Sequence, residues 1–171
     1  MGCVVCGDSG WKAVEQNGVR RMARCECWRE QFIHRRLADA RIPTRYHHCD
    51  LSNFITYANN EKLLRAVAGV RKFAEAFPVV DKGVFLIGPP GIGKSHLAVA
   101  ALKQAILRCA ARGLFYTVPE LLKLIRSTYN PVVKTAEMEV LRPVLEADLL
   151  VLDDLGAEKT SEWVEETLNL V

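Results

Sequence analysis

The pattern of apolar and polar residues along the chain predicts helices that alternate with short buried strands. In the stretch NEKLLRAVAGVRKFAEAF, apolar residues recur at helical spacing, at positions Leu63, Leu64, Val67, Val70, Phe73 and Phe77. The run GVFLIG (83–88) is short, apolar and bounded by glycines, which indicates a buried strand. The Ala- and Leu-rich helix that follows is predicted to end at Gly113, because glycine commonly stops helices.

Two further strands and another helix follow in the same alternating order. LFYTV (114–118) and DLLVLDD (148–154) have the length and apolar character of buried strands. Between them, Thr117 stands three residues before Glu120, which is capping-box spacing, and Asn130-Pro131 is predicted to end the helix that begins there. Alternating strands and helices predict an α/β fold, with a parallel sheet covered on both faces.

The first 30 residues differ from the rest, since they hold four of the six cysteines and little periodic apolar pattern. Pro43 should break any helix that begins near Phe32 in the following connector. The terminal SEWVEETLNLV is typical of an amphipathic helix that begins at Ser161. The chain therefore divides into three predicted parts: a head (1–30), a connector (31–60) and an α/β domain (61–171).

The four clustered cysteines have the spacing of a metal site. Cys3-x-x-Cys6 and Cys25-x-Cys27 form two close pairs, and each pair can give two thiolates to one tetrahedral Zn²⁺. The metal would replace the hydrophobic core that so small a head lacks. Free structural or redox thiols remain the alternative, and three histidines are candidate substitute ligands: His34, His47 and His48.

GPPGIGKS (88–95) matches the phosphate-loop pattern G-x-x-x-x-G-K-[ST], between a predicted strand and its helix. Lys94 can reach the outer phosphates of a nucleotide, and the Ser95 hydroxyl can bind Mg²⁺. The nucleotide-binding residues are predicted to be Gly88, Pro89, Pro90, Gly91, Ile92, Gly93, Lys94, Ser95 and His96. The other interpretation is a glycine-rich turn into a helix.

Two acids at the end of the third predicted strand complete this candidate site. Asp153 would hold Mg²⁺, directly or through water, and Asp154 would orient or deprotonate the attacking water. An apolar run that ends in acids is weak evidence alone, because acids commonly begin loops. Together with the phosphate loop it predicts Lys94 and Asp154 as catalytic groups.

Charge is distributed unevenly around a net value of +3. Residues 20–45 contain eight arginines and three acids, which gives a local charge of +5. Residues 137–171 contain ten acids and two bases, which gives a local charge of −8. The two ends therefore suit different partners, or they are simply solvated faces. The arginines and tryptophans near the cysteines could contact a nucleic acid or an acidic protein.

No apolar run is long enough to span a bilayer and no secretory signal is present, which predicts a cytoplasmic protein without a membrane partner.

From about Arg41 onward, the chain resembles the AAA+ ATPases of the DnaC/IstB group, which comprises helicase loaders and transposition ATPases. The shared stretches are IPTRY, GPPGIGKSHLAVA, YTVPELLKLIR and DLLVLDDLGAEKTSEW, and the cysteine-rich start is similar to the zinc head of many loader-like members. This resemblance implies a P-loop NTPase of three α/β/α layers. Family members continue through two more strands and a helical lid, so the resemblance also implies an incomplete sheet and a truncated chain.

The resemblance implies further roles for individual residues. The helix from Pro119 to Asn130 would face single-stranded DNA, with Lys123 and Arg126 as phosphate contacts or as an ordinary exposed helix face. Adenine contacts would come from the connector at residues 53–55, which are Asn53, Phe54 and Ile55. ATP would bind between subunits, which implies a homo-oligomer through the ATP site.

Three functions are consistent with these features. The first is an ATP- and Mg²⁺-binding helicase loader in DNA replication, whose partner is a hexameric replicative helicase. The second is a transposition-helper ATPase of the IstB type. The third is an adaptor that binds ATP without hydrolysing it, because the family's sensor residues and arginine finger lie beyond Val171 and the chain alone should show little ATPase activity.

Overall fold

The computed structural model of the chain describes residues 3–16, 18–57, 60–128, 141–156 and 164. Its elements in chain order are β1 (Trp11–Gln16), β2 (Val19–Arg24), α1 (Glu26–Asp39), a 3₁₀ turn (Thr44–Tyr46), α2 (Glu61–Ala76), α3 (Lys94–Cys109), β3 (Gly113–Thr117), α4 (Val118–Thr128) and β4 (Leu149–Asp153). None of the helices in these ranges combines the length and apolar character that crossing a membrane would require.

The N-terminal residues form an antiparallel hairpin that leads directly into a helix. β1 and β2 pair from Trp11↔Arg24 to Gln16↔Val19, and α1 begins at Glu26. The helix therefore starts earlier than the expected position near Phe32, and it runs across residue 30. Its end at Asp39, before Pro43, agrees with the prediction.

β3 and β4 form a parallel sheet, which confirms the predicted strands at 114–118 and 148–154. Their register runs from Gly113↔Leu149 to Thr117↔Asp153. The prediction of a buried strand at 83–88 is wrong for the described chain, because this segment belongs to neither sheet and most of its residues are exposed. Phe85 is 71% exposed and Ile87 82%, so these two side chains are not packed in the described core.

Helix α3 lies at the centre of the core, between α2 on one side and the β3–β4 sheet on the other. The α2–α3 contact buries Leu63, Val67, Val70, Ala74, Leu97 and Ala101. The α3–sheet contact buries Ala40, Cys49, Val99, Leu102, Ile106 and Phe115. Each large side chain buried here contributes about 1.5–3 kcal/mol. Leu64 departs from the predicted apolar face of α2, because it is 40% exposed.

The end of α3 differs from the sequence prediction. The helix stops at Cys109, and Ala110 takes the left-handed conformation (φ 54°) while its N–H donates to the Ile106 carbonyl at 2.8 Å. Gly113, the expected stop, instead opens β3, where an added Cβ would lie 2.6 Å from Leu102 Cδ1. Glycine suits position 113 because the side chains of Leu102 and Ile106 in α3 pack directly on the strand backbone and would have to shift for a larger residue.

Gly113→Ala should lower the free energy of unfolding by about 1–3 kcal/mol, because the new methyl group would overpack the α3–β3 contact. Gly69→Ala is the matched control, since Gly69 lies on the exposed face of helix α2 and an added Cβ would meet no atom within 4 Å. It should stabilise the protein by about 0.5–1 kcal/mol. Chemical denaturation of both variants measures the difference, and equal effects would contradict the packing described here.

Helix α4 begins with the predicted capping box. The Thr117 N–H donates to Glu120 Oε2 at 3.2 Å, and the Glu120 N–H donates to Thr117 Oγ1 at 3.4 Å. The predicted helix end at Asn130-Pro131 and the predicted terminal helix from Ser161 lie outside the described residues. Val164 is the exception, and it is buried beside Val118 and Leu122 of α4.

Candidate functional site

The phosphate-loop sequence forms a turn that leads directly into α3. Gly91 and Gly93 have φ values of 77° and 94°, in the left-handed region that favours glycine. Lys94 is the first residue of α3, and its Nζ donates to the carbonyl oxygens of Gly88 and Pro89, each at 2.9 Å. The ammonium group therefore lies across the loop, next to the positive end of the helix dipole. Such a loop can bind an anion.

The helix after the loop contacts the acid at the end of β4. Ser95 Oγ donates to Asp153 Oδ1 at 3.0 Å, although the two residues are 58 positions apart. Asp153 Oδ2 is buried and has no hydrogen-bond partner among the described residues. A hydroxyl and a carboxylate are oxygen ligands of the kind that Mg²⁺ prefers, and the unpartnered oxygen needs a cation or a donor. These residues fit a magnesium ion.

Lys94, Ser95, Asp153 and Asp154 line one cavity of about 690 Å³. This volume lies within the range of small-molecule sites, roughly 300–1,000 Å³. Asp154 follows β4 directly and is exposed, and its left-handed backbone (φ 57°) turns the chain away from the strand. Residues 83–88 and the β4 strand also line this cavity.

The connector packs against the phosphate loop. An added Cβ at Gly93 would lie 2.6 Å from Phe54 Cε2, and the Phe54 ring contacts the His96 ring edge-on at 5.1 Å. His96 Nε2 lies 3.0 Å from the Asp50 carbonyl oxygen and 3.1 Å from Asn53 Oδ1. The His96 side chain, expected at the nucleotide, thus lies against the connector. Of the proposed adenine contacts, Phe54 and Asn53 lie at the loop.

Gly93→Ala should weaken nucleotide binding by at least about tenfold. Alanine disfavours a φ of 94°, and its Cβ would push Phe54 away from the loop. The double variant Gly93→Ala/Phe54→Ala removes the clash but keeps the backbone strain, so it should recover only part of the affinity. Titration of a fluorescent ATP analogue measures the affinity of each variant, and unchanged affinity in the single variant would contradict this account.

The four N-terminal cysteines meet at the base of the hairpin. Their sulfur atoms all lie within 4.8 Å of one another, with Cys3 and Cys25 3.8 Å apart and Cys6 and Cys27 3.3 Å apart. Four thiolates around Zn²⁺ at about 2.3 Å would be separated by about 3.8 Å. The cluster therefore fits a tetrahedral zinc ion, and it forms from the turn after Cys3 and the first turn of α1.

The thiols of this cluster share hydrogen bonds. Burial raises the pKa of Cys6, but hydrogen bonds with the Cys27 thiol, the Gly10 backbone and the Cys3 and Cys25 thiols together outweigh burial and lower the pKa to about 7. The same contact with Cys6 raises the pKa of Cys27. The shared hydrogen bond thus shifts the pKa values of Cys6 and Cys27 in opposite directions, as expected where several sulfur atoms crowd together.

Beside the cysteines, the hairpin and α1 are joined by stacked side chains. The Arg24 guanidinium lies 4.1 Å from the ring centre of Trp11 and 4.6 Å from that of Trp28. Trp28 stacks in turn on Phe32, with centroids 5.4 Å apart. These cation–π contacts hold the hairpin against the helix. The sequence placed these residues near one another but did not predict the stack.

Comparison with known proteins identifies the family. The sequence model of the IstB-like ATP binding proteins matches residues 22–168, which include the phosphate loop and the β4 acids. The chain belongs to the IstB-like ATP-binding family. The family resemblance proposed from sequence is therefore confirmed, and ATP is the ligand that the family name supports.

Several relatives of this IstB-like chain are helicase loaders. It is 25% identical over 157 residues to the replicative helicase loader DnaC of Escherichia coli (strain K12), covering 92% of this chain and 62% of that protein. It is 23% identical over 171 residues to the phage-like element PBSX protein XkdC of Bacillus subtilis (strain 168), covering 94% of this chain and 62% of that protein. The chain thus spans about 62% of the length of these relatives.

A solved structure supports the fold. The crystal structure of the DnaC helicase loader matches with a TM-score of 0.66 and 32% identity, over 75% of this chain and 70% of that chain. The predicted P-loop AAA+ fold, with helices and a parallel sheet, is confirmed. The loader relatives also favour the loader hypothesis over the transposition alternative.

The two candidate DNA contacts lie on the outer face of α4 in this IstB-like chain. Lys123 and Arg126 are exposed, whereas Leu121, Leu122 and Ile125 point into the core. The i, i+3 spacing places both bases on one side of the helix. They are separated in sequence from the phosphate loop by α3 and β3.

Sequence reasoning missed the contact of the connector with α3. Lys103 of α3 donates to the carbonyl oxygens of His47 and Cys49, both at 2.9 Å, and pairs with Asp50 at 3.0 Å. The only signal was the polar run HHCD in a segment assigned to a linker. His48, a candidate substitute zinc ligand by sequence, lies apart from the group of four head cysteines.

Proposed function

We propose that this chain is part of an ATP-dependent helicase loader that acts in DNA replication. The observation that carries the proposal is the hydrogen bond from Ser95 to Asp153, because it joins the phosphate loop to the acidic strand end within one cavity. The loaders among its relatives support the choice of process. The transposition helper, which these relatives do not favour, is the alternative that the test of function must separate from the loader.

At the nucleotide site, Lys94 would exchange its two carbonyl partners for the outer phosphates of ATP. Ser95 and Asp153 would hold Mg²⁺, which neutralises phosphate charge when it is bound. Asp154, exposed at the mouth of the same cavity, would orient the attacking water. The proposal is supported by the position of all four groups around one cavity.

The remaining parts of the chain would serve partners. Zn²⁺ on the four cysteines would stabilise the hairpin as a docking module for a hexameric replicative helicase. Lys123 and Arg126, both exposed on α4, would contact the backbone of single-stranded DNA. A second copy of the chain would meet the first at the ATP site, as the family resemblance implies.

The test of function is retention of a partner that depends on ATP. The tagged chain should retain the purified hexameric replicative helicase of its host when ATP and Mg²⁺ are present, and Lys94→Ala should lose the ATP dependence. Retention of a transposase in place of the helicase would support the transposition helper. ATP binding without turnover in the assembled complex would support the adaptor, and retention of neither partner would contradict both leading functions.

A further inference from the structure

A second group of metal-ligating side chains lies outside both the cysteine head and the phosphate site. One ring nitrogen of His48, Cys49 Sγ and one ring nitrogen of His96 all lie within 4.8 Å of one another. Two of these residues belong to the connector and the third to the first turn of α3. The sequence gives no hint of the group, because 47 positions separate Cys49 from His96.

We propose that His48, Cys49 and His96 bind one divalent cation of borderline softness, such as Zn²⁺. Thiolate and imidazole are the ligand types that zinc takes, and three protein ligands leave a fourth position for water. Metal–ligand bonds of about 2.0–2.3 Å require tetrahedral ligand atoms to lie about 3.3–3.8 Å apart. Cys49 Sγ and His48 Nε2 already meet this requirement at 3.8 Å.

The surroundings of His96 resemble those of a metal-bound histidine. Its Nε2 lies 3.0 Å from the Asp50 carbonyl oxygen, which can only accept a hydrogen bond, so this nitrogen carries the proton. Asn53 Oδ1 shares the contact at 3.1 Å. Metal-bound histidines almost always donate one ring N–H to such an acceptor, and a neutral ring keeps a lone pair on the other nitrogen.

The charge balance around the cluster tolerates a cation. Lys103 is the nearby base, and its Nζ already pairs with Asp50 Oδ1 at 3.0 Å and donates to the Cys49 carbonyl. The charges of Lys103 and Asp50 therefore cancel. One thiolate and two neutral imidazoles around Zn²⁺ would give the site a net charge of about +1. Cys49 is 1% exposed, so its packed position orients the sulfur, whereas His48 is exposed and gives the ion a route of entry.

The site would cross-link the connector to the helix that follows the phosphate loop. His96 is the residue directly after Ser95, and its ring already packs on Phe54, which contacts Gly93. A metal at this position would hold the connector and the loop helix in one arrangement.

The test is the number of zinc ions per chain after reconstitution with Zn²⁺ and removal of the excess. The full chain should hold two, one in the head and one here, and His48→Ala should hold one. His47→Ala is the matched control, because this neighbouring exposed histidine bonds the Ile42 carbonyl oxygen and should keep two. Zinc content that is the same in His48→Ala as in the unaltered chain, or a loss of one ion in both histidine variants, would overturn the proposal.

The two metal sites can be told apart by a variant of the head. Cys6→Ser should remove only the head ion, and Cys6→Ser/His48→Ala should hold none. With Co²⁺ in the Cys6→Ser chain, a thiolate-to-cobalt absorption band is expected, and Cys49→Ser should lose it while Cys109→Ser keeps it. Cys109 is an exposed free cysteine outside both clusters. A band that survives Cys49→Ser would also overturn the proposal.

Discussion

Replacing Lys94 with alanine is expected to weaken the binding of ATP by at least about a hundredfold. The Lys94 ammonium makes two 2.9 Å hydrogen bonds to loop carbonyls, and both would pass to phosphate oxygens in the complex. A hydrogen bond to a charged group contributes about 1.5–3 kcal/mol, so the loss of two corresponds to about two to four powers of ten in affinity. Anisotropy of a fluorescent ATP analogue measures the change.

Two variants separate the role of this lysine from a general effect of charge. Lys72→Ala removes an exposed lysine from α2 and should bind the analogue as the unaltered chain does. Lys94→Arg keeps the charge but not the compact ammonium, so its affinity should lie between the other two. Thermal unfolding confirms that all three variants are folded. An affinity unchanged in folded Lys94→Ala would contradict the assignment of residues 88–95 as a phosphate loop.

The meeting of Ser95 and Asp153 could be predicted from sequence because each residue follows from a local rule. A phosphate loop places its hydroxyl at the start of a helix, and an acid at the end of a parallel strand lies at the same edge of the sheet. The strand at 83–88 could not be judged in this way. An apolar run is typical of a buried strand, but it does not show whether another strand lies beside it. In the described chain, residues 83–88 pair with no strand.

Predictions at helix ends failed where tertiary packing decides the boundary. Glycine commonly ends helices, yet Ala110 ends α3 in a left-handed turn. Gly113 instead allows Leu102 to pack closely on the β3 backbone. The early start of α1 likewise follows from the cysteine cluster, since Cys25 precedes the helix and its N–H donates to the Gly10 carbonyl at 2.9 Å. Such long-range contacts leave no periodic pattern in the sequence.

The clustering of the four cysteines in the head could be predicted from sequence, but the hairpin fold of the head could not. The spacing of four cysteines indicated one tetrahedral site, and the structure brings all four sulfur atoms together. The hairpin that carries them was not predicted, because its exposed residues do not alternate between apolar and polar. The cysteine cluster joins the outer ends of β1 and β2, so we expect a metal bound there to stabilise their pairing.

Removal of zinc is expected to unfold the hairpin while the α/β part stays folded. None of the strand residues 11–16 and 19–24 is fully buried, so the strands have no core of their own. Structural zinc contributes about 10–16 kcal/mol of apparent binding free energy in small domains, far more than a two-stranded hairpin can replace. Trypsin should therefore cleave rapidly after Arg20, Arg21 and Arg24 once a chelator is added.

The core supplies the internal control for that experiment. Arg71 on α2 donates to the Leu51 carbonyl at 2.8 Å and Arg108 on α3 to the Ala74 carbonyl at 2.9 Å, so cleavage after both should stay slow. Cys6→Ser should behave as the chelated protein does even with zinc present, and Cys109→Ser should behave as the unaltered chain does. Slow cleavage of the hairpin after complete zinc removal, or equally fast cleavage after Arg71, would refute a head that depends on its metal and folds apart from the core.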